Sequence, residues 1–281
     1  MNHAAISEQT MLADENHLRL EEKSAVTIQK YIRDANAFLA FTAGEEISKE
    51  RVIAYKQHLL QSGYAPRSVN SMLASLNSLF SFLDWHDCRV RMVRLQNQMF
   101  CPEEKELSRE EYQRLCAAAE QRHNRRLYLL LQTICSTGIR VSELQYITVE
   151  AARSGETVVS CKAKTRRIFL VSKLRKKLLR FAAEQKIQSG AIFVTRTGRP
   201  ICRTNVWREM KALCAQAGVN PGKVFPHNLR HLFARVFYGI ERDLAKLADI
   251  LGHSSINTTR IYIVSTGREH RRKMEQMRLL V

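Results

Sequence analysis

The chain has 281 residues, 45% of them hydrophobic, enough for about two domains with ordinary cores. No stretch approaches the ~18 consecutive apolar residues of a membrane span, which argues against an integral membrane protein. The net charge of +18 is placed unevenly: residues 1–100 hold 11 Lys/Arg and 11 Asp/Glu, so the whole excess lies beyond residue 100, the footprint expected for a polyanionic partner.

Residues 1–22 are polar, mixed in charge and weakly periodic; they are expected to form a flexible leader without the apolar core of a signal peptide. From Ser24, "SAVTIQKYIRDANAFLAF" sets Val26, Ile28, Tyr31, Ile32, Ala35, Phe38 and Leu39 on one helical stripe. Ser48 can cap "SKERVIAYKQHLLQSG", which stops at Gly63. A third amphipathic helix follows Pro66, with Val69, Leu73, Leu76, Leu79, Phe80 and Leu83 facing inward. These elements predict a small all-α domain over 23–95.

Residues 96–106, "QNQMFCPEEKE", lose periodicity and read as a linker, so a second domain is expected over 107–281. It opens on a capping box, Ser108 with Glu111, and a staple of Leu107 with Tyr112. Helical "RRLYLLLQTICS" leads into "TGIRVSEL", and "ETVVSCKAKTRRIFL" reads as a hairpin around a Lys-rich turn. Ser172 can cap "SKLRKKLLRFAAEQ", and "AIFVT" reads as a short strand before the turn "RTGRP". "TNVWREMKALCAQAG" is expected to be one helix with Trp207, Met210, Cys214 and Ala217 in line as core residues. "HNLRHLFARVFYG", "DLAKLADILGH" and "SINTTRIYIV" complete the domain, before a basic amphipathic tail near 268–281. The fold class expected is therefore mainly α with one small β-hairpin, an α+β chain of two domains. Seven cysteines without a C-x-x-C pair suggest reduced thiols in a cytosolic protein.

Residues 225–231, "FPHNLRH", gather two histidines and an arginine within one helical turn. A metal site, a phosphate site and a solvated helix face are all open readings. The metal reading would use His227 and His231, four apart, with His253 as third ligand. It lacks the glutamate of H-E-x-x-H, where Asn228 stands, and Arg230 among the ligands would repel a divalent ion. The phosphate reading needs more cations, and "TGIR" supplies one: Gly138 permits a sharp turn that lets Arg140 project, with Glu143 placed to hold a basic side chain. In "LGHSSINTTRIYI", His253 follows Gly252 and Tyr262 comes nine residues later. A lone tyrosine there would ordinarily be half-buried core beside Phe233, Phe237, Tyr238 and Ile261.

"TGIRVSEL", "HNLRH" and "LGHSSINTTRIY", in this order and spacing, resemble the catalytic boxes of the tyrosine recombinases, or phage integrase family, over residues 108–270. The layout is similar to the simple two-domain, Xer-like members, with 23–95 as a SAM-like core-binding domain and 107–281 as the catalytic domain with a tail helix. The resemblance implies a site-specific recombinase that cleaves and rejoins DNA through a 3′-phosphotyrosyl intermediate, without metal or ATP and with no cofactor. Tyr262 would be the nucleophile, Arg140 and Arg230 would bind the non-bridging phosphate oxygens, and His227 and His253 would assist proton transfer. The family's hairpin lysine, general acid to the leaving oxygen, would be Lys162, with Lys164 the alternative because this turn is one residue short of the commoner spacing. Glu143 and His231 would support the site, and Arg166 and Arg167 would meet backbone phosphates or solvent. The implied partners are double-stranded DNA with inverted-repeat core sites and three further copies of the chain. A monomer or dimer is possible off DNA, the setting is cytoplasmic and nucleoid-associated, and no membrane is involved. A type IB-like topoisomerase and an inactive DNA-binding regulator are the alternatives.

Overall fold

The computed structural model describes residues 3–95, 103–161, 164–263 and 274–277. The chain divides into two compact units, Met1–Asn97 and Gln98–Val281.

The first unit holds α1 (Glu8–Leu20), α2 (Ala25–Thr42), α3 (Lys49–Gln61) and α4 (Pro66–Phe82). Ser7, Ser24 and Ser48 each accept the backbone N–H three residues on, satisfying donors that a helix start leaves free. Pro66 opens α4, where its missing N–H has no helical partner to lose. Phe38, Ile47, Val52, Leu73, Leu76 and Phe80 form the core, with Phe38 edge-on to Phe80 at 6.0 Å. The buried Asp34 is matched by Lys30 Nζ at 2.6 Å and Ser75 Oγ at 3.0 Å, so its charge has partners.

Two expectations are corrected here. The leader over 1–22 contains a helix, α1, because Ser7 caps it and Met11 and Leu18, seven apart, bury their side chains on one face. Two apolar anchors in a polar stretch are too few to register as periodicity. Val26 leaves the predicted stripe and is 77% exposed, in the first turn of α2.

The second unit begins with α5 (Arg109–Gln121), whose capping box is formed in full by Ser108 and Glu111. α6 (Arg125–Thr137) follows and buries Leu127, Leu129, Leu130, Leu131 and Ile134. Apolar residues on so much of its circumference mark a central helix, and α5, α8 and α11 pack around it. Next come a 3-10 segment (Val141–Tyr146), α7 (Val149–Ser154) and an antiparallel hairpin of β1 (Glu156–Cys161) and β2 (Lys164–Phe169). The register pairs Glu156 with Phe169 and Cys161 with Lys164. The remaining elements are α8 (Ser172–Glu184), α9 (Arg203–Ala212), α10 (Cys214–Ala217), α11 (Pro226–Glu241), α12 (Leu244–Leu251) and α13 (Ile256–Ile263). The fold is thus mainly α with one two-stranded sheet among the described residues.

"AIFVT" is not a strand. Ala191 bridges Thr148 and Val194 bridges Pro200 as isolated pairs, and a proline offers no N–H to extend a ladder. The expected helix through Trp207 and Ala217 breaks at Leu213, whose N–H donates to Met210 O in a tightened turn, and Trp207 is 49% exposed. Ser172 is the first helical residue of α8 rather than its cap. Residues 96–102 of the expected linker and most of the expected tail helix lie outside the described residues.

Candidate active site

The site is built where α6, the β-hairpin, α11, α12 and α13 converge. α6 ends in Gly138, left-handed at φ +64°, and a Cβ there would lie 2.5 Å from the Phe233 ring. The chain then turns so that Arg140 precedes the 3-10 segment. Its backbone N–H donates to Glu143 Oε2 at 2.9 Å, and its guanidinium donates to Glu143 Oε1 at 2.8 Å and to Gly252 O at 3.3 Å.

Glu143 is buried, and it also accepts from Arg166 of β2. Burial alone would raise its carboxyl, but the Arg140 N–H and guanidinium and the Arg166 charge outweigh that and hold it below the usual range. Arg166 departs from expectation. Its side chain is only 9% exposed, and it donates to Ile250 O at 2.6 Å as well as to Glu143, so it is an internal strut rather than a solvent-facing side chain. Arg167, one residue on, is 67% exposed on the other face, as alternation along a strand requires.

Pro226 starts α11 and places His227, Arg230 and His231 on its first turns. Arg230 is 1% exposed. It donates to Gly138 O and to Leu251 O, the latter at 2.6 Å, and its Nη2 lies 3.0 Å from His253 Nε2. Burial, then the nearby Arg140 charge, pulls its guanidinium down to about 10, still cationic at neutral pH. Its Nε is buried without a partner among the described residues.

α12 ends at Gly252, φ +63°, in a tight cap where the His253 N–H donates to Ala248 O. His253 Nδ1 lies 2.8 Å from Thr259 Oγ1 of α13. Burial first, then Arg230, Arg140 and Arg166, pushes the His253 imidazole down to about 4. Tyr262 is 4% exposed, its ring packed on Ala234, Leu247 and Leu251, yet its hydroxyl lies 3.3 Å from His227 Nε2. The His231 ring sits 4.2 Å from the Tyr262 ring and that of His253 5.3 Å away, so three imidazoles enclose the phenol. His227 is pushed below its ordinary value by burial, then by Arg230, Arg140 and Arg203. His231 falls to about 3 through burial, then His227, Arg235 and Arg230.

Arg140, Glu143, His227, Arg230, His231, His253 and Tyr262 are therefore brought together from four segments. Lys162 lies outside the described residues, and Lys164 begins β2 opposite Cys161. Thr259 was not singled out by sequence, and Arg166 was not told apart from Arg167: each stands beside or near basic or Ser/Thr neighbours that look equivalent until their burial is known. Among the described residues, the group suited by geometry to hold a metal is His3, Asp87 and Cys88, not the three histidines around Tyr262. A cavity of about 500 Å³ lined by His123, Arg125, Tyr128 and Lys177 lies at the amino end of α6. Arg140 follows the other end of that 13-residue helix, ~20 Å away. The catalytic candidates thus form a largely buried cationic cluster apart from that cavity, and guanidiniums beside neutral imidazoles and a phenol suit a tetrahedral oxyanion and a nucleophile.

Residues 105–268 match the phage integrase family, and residues 15–87 match the phage integrase N-terminal SAM-like domain. The tyrosine recombinase XerA of Thermococcus kodakarensis is 30% identical over 275 residues, 95% of this chain and 94% of that protein. The tyrosine recombinase XerD of Listeria innocua is 25% identical over 278 residues, 90% and 93% of the two chains. In fold, the chain is similar to a lambda integrase dimer bound to a COC′ core site, with a TM-score of 0.75 at 17% identity over 95% of this chain and 97% of that one. It is also similar to XerH site-specific recombinase bound to its difH substrate, with a TM-score of 0.66 at 18% identity over 96% and 98%. The chain belongs to the phage integrase family, the tyrosine recombinases. Among the described residues, no helix is long and apolar enough to cross a membrane.

Proposed function

We propose that this chain is a site-specific recombinase that cuts and rejoins DNA strands through Tyr262. The carrying observation is the Tyr262 hydroxyl, 3.3 Å from His227 Nε2, in the same cluster as Arg230 and Arg140, whose guanidiniums meet at the end of α12 beside His253. In this reading the phenol gives its proton to the neutral His227 and its oxygen bonds to the phosphorus. The bond from phosphorus to the 5′-oxygen breaks, and that oxygen leaves as a hydroxyl with a proton from Lys162, or from Lys164. Arg140 and Arg230 donate to the non-bridging oxygens, more strongly as charge builds in the transition state; donors of this kind are worth ~10²–10³-fold in rate each. His253, held neutral, accepts from Arg230 at Nε2 and gives its Nδ1 hydrogen to Thr259, and so orients that guanidinium beside the phosphate. Glu143 orients Arg140, and His231 packs the phenol. The phosphotyrosyl bond keeps the energy of the broken link, so rejoining needs no ATP.

The partner is double-stranded DNA, gripped chiefly through the basic excess beyond residue 100, so binding should fall steeply with salt. Residues 23–95 act as the core-binding domain, 107–281 as the catalytic domain, and four copies assemble on paired inverted-repeat sites inside the cell, at the nucleoid. Relatives spanning most of their length with this chain are recombinases, which disfavours the topoisomerase and inactive-regulator readings. The test is a suicide substrate nicked beside the cleavage position. The wild-type chain should become covalently trapped, while Tyr262→Phe should bind the DNA and form no adduct; an adduct surviving that change would place the nucleophile elsewhere.

A further inference from the structure

Three consecutive carbonyls at the carboxyl end of α12 each accept from a different arginine: Ile250 O from Arg166 at 2.6 Å, Leu251 O from Arg230 at 2.6 Å, and Gly252 O from Arg140 at 3.3 Å. The two carbonyls before them, Ala248 O and Asp249 O, are already used by the N–H groups of His253 and Gly252. The arginines therefore satisfy the acceptors that the helix end leaves over, and their charge complements the negative end of its dipole. Two of the three are the proposed phosphate ligands. The third, Arg166, is 9% exposed and turns inward, bridging Ile250 O and Glu143. Glu143 in turn holds Arg140 by both backbone and side chain, and Arg140 returns to Gly252 O. Arg166, Glu143, Arg140 and the end of α12 thus form a closed ring, and His253 is the residue that follows it.

We propose that Arg166 is a positioning residue for strand cleavage: it ties the carboxyl end of α12, and so His253, to the Glu143–Arg140 pair on the other side of the reacting phosphate. This rests on the recombinase reading above. Arg166 itself does not touch DNA. An arginine is required because one planar fork must donate in two directions, to a carboxylate and to a carbonyl; a lysine ammonium reaches both poorly. Gly252 belongs to the same device, since a Cβ there would lie 2.5 Å from Arg166 Cδ.

The experiment compares wild type, Arg166→Met, Arg166→Lys, Glu143→Gln and the Arg166→Met/Glu143→Gln pair. For each, DNA affinity and the single-turnover rate of adduct formation at saturating DNA are measured on the nicked substrate. Arg166→Met should keep the wild-type DNA affinity and slow adduct formation about 100-fold, the scale of a catalytic group misplaced by about 1 Å. The double variant should be no slower than the slower single variant, because both break one ring. Arg166→Lys should recover part of the rate. A variant that loses DNA affinity but reaches the wild-type rate at saturation would make Arg166 a phosphate contact and overturn the proposal, as would an unchanged rate. Should Arg166→Met lose its cooperative melting, Arg166→Lys decides alone: a slower rate at saturation supports the proposal and a wild-type rate overturns it. A wild-type chain that binds the substrate yet is never trapped would overturn the recombinase reading and this proposal together, an outcome distinct from a change confined to the variants.

Discussion

Nη2 of Arg230 lies 3.0 Å from Nε2 of His253, whose Nδ1 lies 2.8 Å from Thr259 Oγ1. An arginine can only donate, so Nε2 must accept, Nδ1 must carry the hydrogen, and Thr259 must receive it. One guanidinium thus selects the imidazole tautomer and keeps the ring neutral, since a proton on Nε2 would face the Arg230 charge at contact distance. The drop of the His253 imidazole to about 4, caused first by burial and next by Arg230, agrees with that arrangement.

Thr259 is fully buried, so its hydroxyl has no water to replace His253. Thr259→Val should leave the Nδ1 hydrogen unmatched and destabilise the chain by ~1–3 kcal/mol. Thr259→Ser keeps the oxygen and should stay closer to wild type. Urea unfolding of the two variants, with adduct rates on a nicked substrate alongside, checks the order; equal stability of Val and Ser variants would show that the hydroxyl carries no weight.

Gly138 and Gly252 frame the site, both left-handed, and a Cβ on either would lie 2.5 Å from a neighbour, the Phe233 ring or Arg166 Cδ. Alanine at either position should cost ~1–2 kcal/mol for the backbone conformation alone, before any displacement of the neighbour. Gly252→Ala should lose much of its added cost in an Arg166→Ala background, because the clash is gone. A melting series over the four chains reads this directly, and strict additivity would mean that the two residues do not compete for space.

Acidification should weaken the fold through the histidines around Tyr262. His231 falls from 6.5 to about 3 and His253 to about 4 in the folded chain, both chiefly by burial. Below pH 6.5 the unfolded chain takes up protons that the folded chain refuses, so stability is complete above that value and declines as the pH drops toward 3. The His231→Gln variant should show a smaller loss between about pH 7.5 and about pH 4.5 than wild type. Urea midpoints at the two values test this, and an unchanged loss would remove His231 from the cause.

Cleavage should proceed at its full rate in excess EDTA, because two guanidiniums supply the charge that a divalent ion supplies elsewhere. Adduct formation that stops on chelation and returns with Mg²⁺ would contradict the reaction proposed here.

The helix starts at Ser24, Ser48 and Ser108 are legible without coordinates, because a cap is a bond between residues three apart. So is the hairpin, whose β-branched runs flank a short turn, and so are Arg140, His227, Arg230, His253 and Tyr262, whose spacing carries the family likeness. Helix α1 escaped notice because two buried anchors in a polar stretch make no visible stripe. "AIFVT" misled because strand propensity describes a segment willing to pair, whereas a strand also needs a neighbour to pair with.

By itself, the sequence determined the local elements, the charge asymmetry and the residue types from which a phosphate site could be assembled, since all of these depend on neighbours in the chain. Which of two adjacent arginines turns inward, which threonine fixes a histidine tautomer, and that the phenol of Tyr262 meets His227 were decided only by the tertiary structure. Arg166 finds Glu143 across 23 residues and Ile250 O across 84, and a backbone carbonyl looks the same in every residue that bears it. Only folding reveals which of those carbonyls remains without a partner.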